Sequence, residues 1–495
     1  MLEALVAGLG QVLSWPAIGL MFVGIGAGFV VGIMPGVGGA TALALMLPFI
    51  FKMQPAEAFA FLLGMASVLA MTGEITSILF GVPGEPVTAA AILDGHTMAK
   101  KGEAGRALGA ALFGAFIGAV IGALSLMITI PVVQPLLRSF GSPEFLMFAV
   151  LGIAFVSSLT GISPAKGFAV AALGLLLSCV GQAPGTATLR YVFGQLYLWE
   201  GIRIVPATLG LFAIPELVDL VVHRSAIARR DVGDLGGVRQ GFADVLRHRW
   251  LAVRAAVIGV VVGVAPGIGG AGAQWIAYGH AVQSSSTPER FGKGAVEGVI
   301  APAIASAGER TSALIPTVAF GIPGNVSTAV LLGAFIIQGL VPGKDMLEKD
   351  LAITFAMAWT MIIANVIAIA ICVLLVRQLA AITRVRGTLL VPPLIALVFL
   401  GAYAERNTLF DVGIALAFGA LGLALNALGW PRAPLILGLV LGGVIENYLS
   451  LSVSRYDYEW LLRPGVAFML AAAVLVALSP YLQPWVRRLR SGRAA

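Results

Sequence analysis

The stretch Gly32-Ile-Met-Pro35-Gly36-Val-Gly38-Gly39 recurs in the second half of the chain as Gly263-Val-Ala-Pro266-Gly267-Ile-Gly269-Gly270. Two further pairs follow in the same order. Gly73-Glu74-Ile-Thr76-Ser77-Ile-Leu79 returns as Gly308-Glu309-Arg-Thr311-Ser312-Ala-Leu314, and Phe80-Gly-Val-Pro83-Gly84 returns as Phe320-Gly-Ile-Pro323-Gly324. Ile315 to Ala319 is an insert in the second copy. Three ordered matches that keep the same glycines, prolines, glutamate, threonine and serine define an internal repeat.

The surrounding residues set the environment of that repeat. Hydrophobic residues make up 59% of the 495 and charged residues 11%, with a mean hydropathy of +0.97, which leaves too little polar surface to coat a soluble globule. Continuously apolar runs such as Ala107 to Ile130, Ile353 to Val376 and Val466 to Leu482 predict membrane helices, because the strands of a membrane barrel would alternate. The fold class expected is an all-α polytopic membrane protein in a lipid bilayer, with roughly 12 to 15 full or partial crossings judged by span length. Met1-Leu2-Glu3 lacks the basic start of a cleavable signal. The single cysteines, Cys179 and Cys372, read as small core residues, and the four histidines show no metal spacing.

A net charge of +7 in a soluble protein would suggest nucleic acid. Here the arginines gather beside spans and set orientation instead, so no nucleic-acid partner is expected. His223 to Arg254 holds seven arginines against three aspartates and should be cytoplasmic. Arg377 to Arg386 adds three arginines and the tail Arg487-Arg488-Leu489-Arg490 with Arg493 four more, which places the C-terminus inside. Glu3, Gly343 to Asp350 and Glu446 to Arg463 lie in neutral to acidic segments expected outside. The first copy is thus entered from the acidic side and the second from the basic side. After the second motif the sign flips again, from +2 over Lys100 to Arg106 to −1 over Lys344 to Asp350. This pattern predicts inverted-topology repeats, the design in which carriers hold substrate between discontinuous helices near the membrane midplane. The expected division is an N-terminal membrane repeat over 1–222, a cytoplasmic linker over 223–249, an inverted membrane repeat over 250–485 and a basic cytoplasmic tail over 486–495.

The motifs carry chemistry of their own. Proline removes an amide donor and glycine is costly inside a helix, so Pro-Gly-x-Gly-Gly in an apolar run predicts a broken helix. Irregular backbone at membrane depth is tolerated where it lines a cavity or is buried in protein. The amides of Gly36, Gly38 and Gly39, and of Gly267, Gly269 and Gly270, would then open new helices and attract an anion such as a carboxylate. Close helix packing is the other use of such glycines; a nucleotide loop is not expected, since the Lys-Ser/Thr of a P-loop is missing. Pro35 and Pro266 mark the first break, while Pro83-Gly84-Glu85-Pro86 and Pro323-Gly324-Asn325 mark a second. Thr41, Thr76, Ser77, Thr88, Thr311, Ser312 and Ser327 supply hydroxyls for an anion or oxygens for Na⁺. Glu74 and Glu309, carboxylates inside apolar segments, are candidate sites for a coupling cation, Na⁺ or H⁺. Structural pairing, for example of Glu309 with Arg310, is the alternative. No cofactor is expected. Asp94-Gly95-His96 reads as an interfacial turn.

The run from Gly32 to Gly39, the stretch from Val82-Pro-Gly through Leu93-Asp-Gly-His-Thr-Met-Ala-Lys-Lys-Gly-Glu-Ala-Gly-Arg-Ala-Leu108, and Leu314-Ile-Pro-Thr-Val-Ala-Phe-Gly-Ile-Pro-Gly324 together resemble TctA, the large membrane subunit of the tripartite tricarboxylate transporters. The resemblance covers nearly the whole chain, with a departure at Ala305-Ser306-Ala307, where many relatives carry an asparagine pair. It implies cation-driven uptake of a di- or tricarboxylate across the bacterial inner membrane. It also implies a periplasmic solute-binding protein (TctC-like) that delivers the anion and a small membrane subunit (TctB-like). An anion-permeable channel and a single-component carboxylate permease are the alternatives. An enzyme is not expected, because the sequence shows no nucleophile–base pair or metal cluster.

Overall fold

The computed structural model describes residues 1–32, 38–81, 85–159, 163–183, 186–222, 236–375, 378 and 387–491. The first half contains α1 (Leu2–Leu13), α2 (Ala17–Gly32), α3 (Gly39–Met46), α4 (Pro55–Phe80), α5 (Ala104–Arg138), α6 (Ser142–Leu159), α7 (Pro164–Ser178) and α8 (Ile214–Val222). An amphipathic helix, α9 (Val238–Arg247), precedes the second half. That half contains α10 (Arg249–Val264), α11 (Gly269–Ser284), α12 (Glu297–Ser312), α13 (Leu314–Phe320), α14 (Val326–Ile337), α15 (Leu351–Leu374), α16 (Gly387–Ala404), α17 (Leu409–Ala427), α18 (Ala433–Tyr456) and α19 (Pro464–Ser491). Among the described residues the strands are a single short antiparallel pair, Gly181–Gln182 with Leu189–Arg190. The protein is all-α, as its composition predicts.

Five described helices, α4, α5, α15, α17 and α18, are long and apolar enough to cross a membrane; α1 and α2, bent by 65° at Trp15-Pro16, make a sixth as one broken span. Several other apolar helices are shorter, including α7, α14 and the segment Gly39–Ile50. The six full-length candidates and six shorter apolar helices among the described residues make twelve full or partial spans, at the lower end of the 12 to 15 expected. Much of the remaining apolar sequence lies in apolar helices of 10–17 described residues.

Glycine decides how the helices meet. In α2, Gly24, Gly28 and Gly32 stand four residues apart on one face, and a β-carbon on each would collide with α4, at the carbonyls of Phe61 and Met65 and the Thr72 hydroxyl. Gly259 and Gly263 give α10 the same face against α12, at the carbonyls of Ala305 and Glu309. Without a hydrophobic driving force between helices in lipid, close backbone approach supplies the packing energy.

The long helix of each half packs on the other half. Gly118 of α5 abuts the Ile304 carbonyl of α12 and Gly122 abuts the Gly308 carbonyl; α15 crosses α4, where the Ser67 hydroxyl meets Met361 Sδ at 3.6 Å. Lipid-facing surface is recognisable in α10, where Trp250, Val253, Val257, Val261 and Val264 form one exposed stripe at helical spacing.

Residues 223–235 of the expected linker lie outside the described residues. The remainder is not a free connection. Gly109 and Gly241 let α9 lie directly on α5, Arg106 Nε donates to Asp244 Oδ2 at 2.6 Å, and Phe113 stacks on Phe242 with centroids 4.7 Å apart.

Candidate functional site

Described helices flank both Pro-Gly segments. α2 ends at Gly32 and α3 opens at Gly39; α10 ends at Val264 and α11 opens at Gly269. Residues 33–37, including Pro35 and Gly36, lie outside the described residues. In the second half Pro266 is buried, and Gly267 (φ +93°) and Gly269 (φ +69°) adopt the left-handed backbone that favours glycine. The Gly267 N–H donates to the Gly324 carbonyl at 3.0 Å, which ties the two breaks of that half together. The first N–H groups of α3 and α11 have no intrahelical acceptor, as at any helix start. A β-carbon on Gly38 or on Gly269 would meet no described atom within 4 Å.

The second breaks also correspond. α4 ends at Gly81 (φ +67°, ψ +20°) and α13 at Gly321 (φ +69°, ψ +18°), the same left-handed cap. Beyond it, the Thr88 hydroxyl donates to the Glu85 carbonyl at 2.9 Å and accepts from the Glu85 N–H at 3.4 Å; Thr328 makes the same pair with Asn325, at 2.9 and 3.0 Å. Glu85 and Asn325 thus occupy equivalent places. Pro83 and Gly84 lie outside the described residues, whereas Pro323 and Gly324 are buried, and Gly324 packs against Ala313 and the Gly263 carbonyl. The five-residue insert of the second copy gives the separate helix α13, where the first copy runs on in α4.

Around these breaks, polar groups of the two halves meet. Arg310 Nη2 donates to Glu85 Oε2 at 2.9 Å, with the two side chains 11% and 5% exposed. Arg310 Nη1 would stand 3.1 Å from a β-carbon on Gly39, the first residue of α3, and Glu85 Oε1 3.4 Å from it. Glu309 does not pair with Arg310. Its Oε1 accepts from Asn325 Nδ2 at 3.0 Å, and its Oε2 would lie 2.9 Å from a β-carbon on Gly270 at the start of α11. Glu74 Oε1 accepts from Gln274 Nε2 at 3.0 Å; Gln274 Oε1 in turn accepts from the Ala90 N–H at 3.1 Å. Glu74 and Glu309 are each 1% exposed, and both lie within electrostatic reach of Arg310. Glu74 Oε2 and Glu85 Oε1 are buried and accept no hydrogen bond.

Most of the hydroxyls expected at the site are engaged. Thr76 donates to the Gly73 carbonyl, Thr311 to Ala307 and Ser312 to Gly308, each within its own helix, which leaves only oxygen lone pairs to offer. Ser77 donates to Thr88 Oγ1 at 2.8 Å. Thr41 is buried in the first turn of α3, and Ser327 is half-buried in the first turn of α14. Asp94 lies in a helical segment, Ile92–His96, rather than in a turn. It is fully buried, accepts from the N–H groups of Gly294 and Ala295 at 2.7 and 2.8 Å and from the Tyr278 hydroxyl at 3.0 Å, and so pins the approach to α12. His96 packs its ring on Gly81 and bonds the Ile78 carbonyl through Nδ1 at 3.0 Å.

Gln274, Glu85 and Arg310 are the site residues that sequence reasoning passed over. The signal for Glu85 is its place directly after Pro83-Gly84, opposite Asn325 in the repeat. Arg310 was visible, but as a neighbour of Glu309. Helix geometry turns it instead toward the other half. Three buried carboxylates and one guanidinium, drawn from both halves, thus gather around the breaks. Among the described residues no three His, Cys, Asp or Glu side chains are gathered to hold a metal ion.

Apolar helices of spanning length and glycine-faced packing define an all-α polytopic membrane protein. The chain belongs to the tripartite tricarboxylate transporter TctA family, whose model matches residues 18–437. It is 32% identical over 470 residues, 93% of either chain, to an uncharacterized 52.8 kDa protein of the TAR-I ttuC' 3' region of Agrobacterium vitis. It is also 31% identical over 234 residues, 47% of this chain and 97% of the relative, to an uncharacterized protein of the TAR-II ttuC' 3' region of the same organism. No solved structure matches it.

Proposed function

We propose that the protein is the carrier component of a secondary active uptake system for small organic anions of the di- or tricarboxylate class, driven by a Na⁺ or H⁺ gradient. It works in the bacterial inner membrane with its C-terminus in the cytoplasm. A periplasmic solute-binding protein of TctC type feeds it, and a small TctB-like membrane subunit accompanies it. The observation that carries this reading is the ion pair between Glu85 of the first half and Arg310 of the second, set at the start of α3 and flanked by Glu74 and Glu309. A buried guanidinium beside a helix start attracts a carboxylate. The neighbouring glutamates place negative charge where a cation must enter for that anion to be tolerated.

The equivalent caps at Gly81 and Gly321, the equivalent threonine bonds at Thr88 and Thr328 and the reciprocal packing of α5 and α15 support two inverted repeats about a shared site. Alternating access follows from an elevator-like or rocking movement of one part against the other. Coupling is assigned to Glu74 and Glu309, and substrate contact to the glycine amides of the breaks.

The test is uptake of radiolabelled citrate, malate and succinate into proteoliposomes holding this chain, with and without the two partner subunits, under imposed Na⁺ or pH gradients. Gradient-dependent accumulation and saturable counterflow support the carrier. Flux that is linear in concentration and shows no counterflow is the mark of a channel and would refute it.

A further inference from the structure

Glu85 and Arg310 hold more information than charge alone. Arg310 reaches Glu85 through Nη2 only, while its Nη1 is turned to Gly39. Glu85 spends Oε2 on Arg310, whereas Oε1, also directed at Gly39, is buried and accepts no hydrogen bond. A carboxylate that is 95% buried and leaves one oxygen without a donor is costly unless something else supplies the donor. One patch at the start of α3 therefore presents a charged donor and, next to it, an unsatisfied charged acceptor. The two come from different halves of the chain.

We propose that Arg310 and Glu85 form a two-point recognition element for hydroxycarboxylates. The substrate carboxylate accepts from Arg310 Nη1 and the N–H groups at the start of α3, while a hydroxyl on the neighbouring carbon donates to Glu85 Oε1. This rests on the reading of the chain as a carboxylate carrier and narrows its substrate class. Glu85 contributes selectivity by repulsion as much as by attraction. A carboxylate without a hydroxyl would set its own oxygens against Oε1 with no proton between them, and would leave the buried acceptor unsatisfied. Glu85 also holds the guanidinium in place when no anion is bound.

Binding to the purified full-length chain, measured by calorimetry, tests this with two pairs of probes that differ by a hydroxyl: citrate with tricarballylate, and malate with succinate. The wild type should favour the hydroxylated member of a pair by about tenfold or more, since a site built to bond a hydroxyl discriminates against its absence. Glu85→Ala should keep binding to both members and compress the preference to below about threefold. Arg310→Gln should weaken both members by about a hundredfold through loss of the charge-assisted bonds. The charge swap, Glu85→Arg with Arg310→Glu, restores an ion pair and its contribution to thermal stability but reverses the element, so it should fold and not bind. Binding of wild-type strength by Arg310→Gln or by the swap variant, or an unchanged preference in Glu85→Ala, would overturn the proposal and leave the carrier intact. Failure of the wild type to bind any of the four probes would overturn the carboxylate-carrier reading and this inference with it.

Discussion

Gln274 Nε2 lies 3.0 Å from Glu74 Oε1, so a residue of α11 in the second half holds the carboxylate of a glutamate in the first. The same amide accepts from the Ala90 N–H through its other end. One side chain thus fixes both the glutamate proposed to take the coupling cation and the segment that follows the second break.

Glu74→Gln preserves shape and hydrogen-bonding capacity and removes the charge. Gradient-driven accumulation should fail, while exchange at equal substrate concentrations on the two sides persists, because exchange needs no net cation movement. Glu309→Gln should behave alike. Accumulation ratios and cation dependence like the wild type in both variants would return the pair to a structural role. Gln274→Leu strands both partners and should cost about 1–3 kcal/mol, measurable as a lower midpoint of thermal unfolding.

Two classes of glycine should separate in one assay. Gly24→Val forces a side chain into the Phe61 carbonyl and should lower the amount of folded protein in the membrane, because overpacking costs about 1–3 kcal/mol or more. The β-carbon of Gly38→Val meets no described atom within 4 Å; this variant should insert at normal levels and lose uptake. Quantifying inserted protein and transport together tells the two apart, and normal uptake by Gly38→Val would remove this glycine from the substrate site.

Reporter fusions address the orientation of the halves. Fusions after Arg230 and after Arg493 should read cytoplasmic, and one after Ser452 periplasmic. A common reading at Arg230 and Ser452 would remove the case for inversion.

Asp94→Asn keeps the size of the side chain but gives up the charge that accepts from Gly294, Ala295 and Tyr278. Bonds to a charged acceptor contribute about 1.5–3 kcal/mol each, so a clear fall in the thermal midpoint is expected. Asp94→Ala should fall further. An unchanged midpoint in both would show that the approach to α12 is held by packing alone.

The helical class and the breaks at both Pro-Gly motifs were legible because each depends on local composition: apolar length for the spans, proline and glycine for the interruptions. Glu74 and Glu309 were legible as charges in apolar surroundings. Their partners were not. Gln274 and Asn325 lie far along the chain or across a break, and only the fold brings them to the carboxylates. Arg310 follows Glu309 directly, but successive helical residues point about 100° apart, so adjacency in sequence argued for a pairing that geometry forbids. The burial of Asp94 was hidden for a related reason: its neighbours Lys100 and Lys101 read as a solvent edge, while its bonding partners come from the second half.

The contacts of Gly118 and Gly122 with the backbone at Ile304 and Gly308 carry a mechanical consequence. Two helices whose main chains touch at successive turns are keyed together and cannot slide past each other without first separating. The helix carrying Glu309 and Arg310 is therefore locked to the long helix of the opposite half, so any stroke that exposes the site alternately to the two sides of the membrane must move α5 and α12 as one piece.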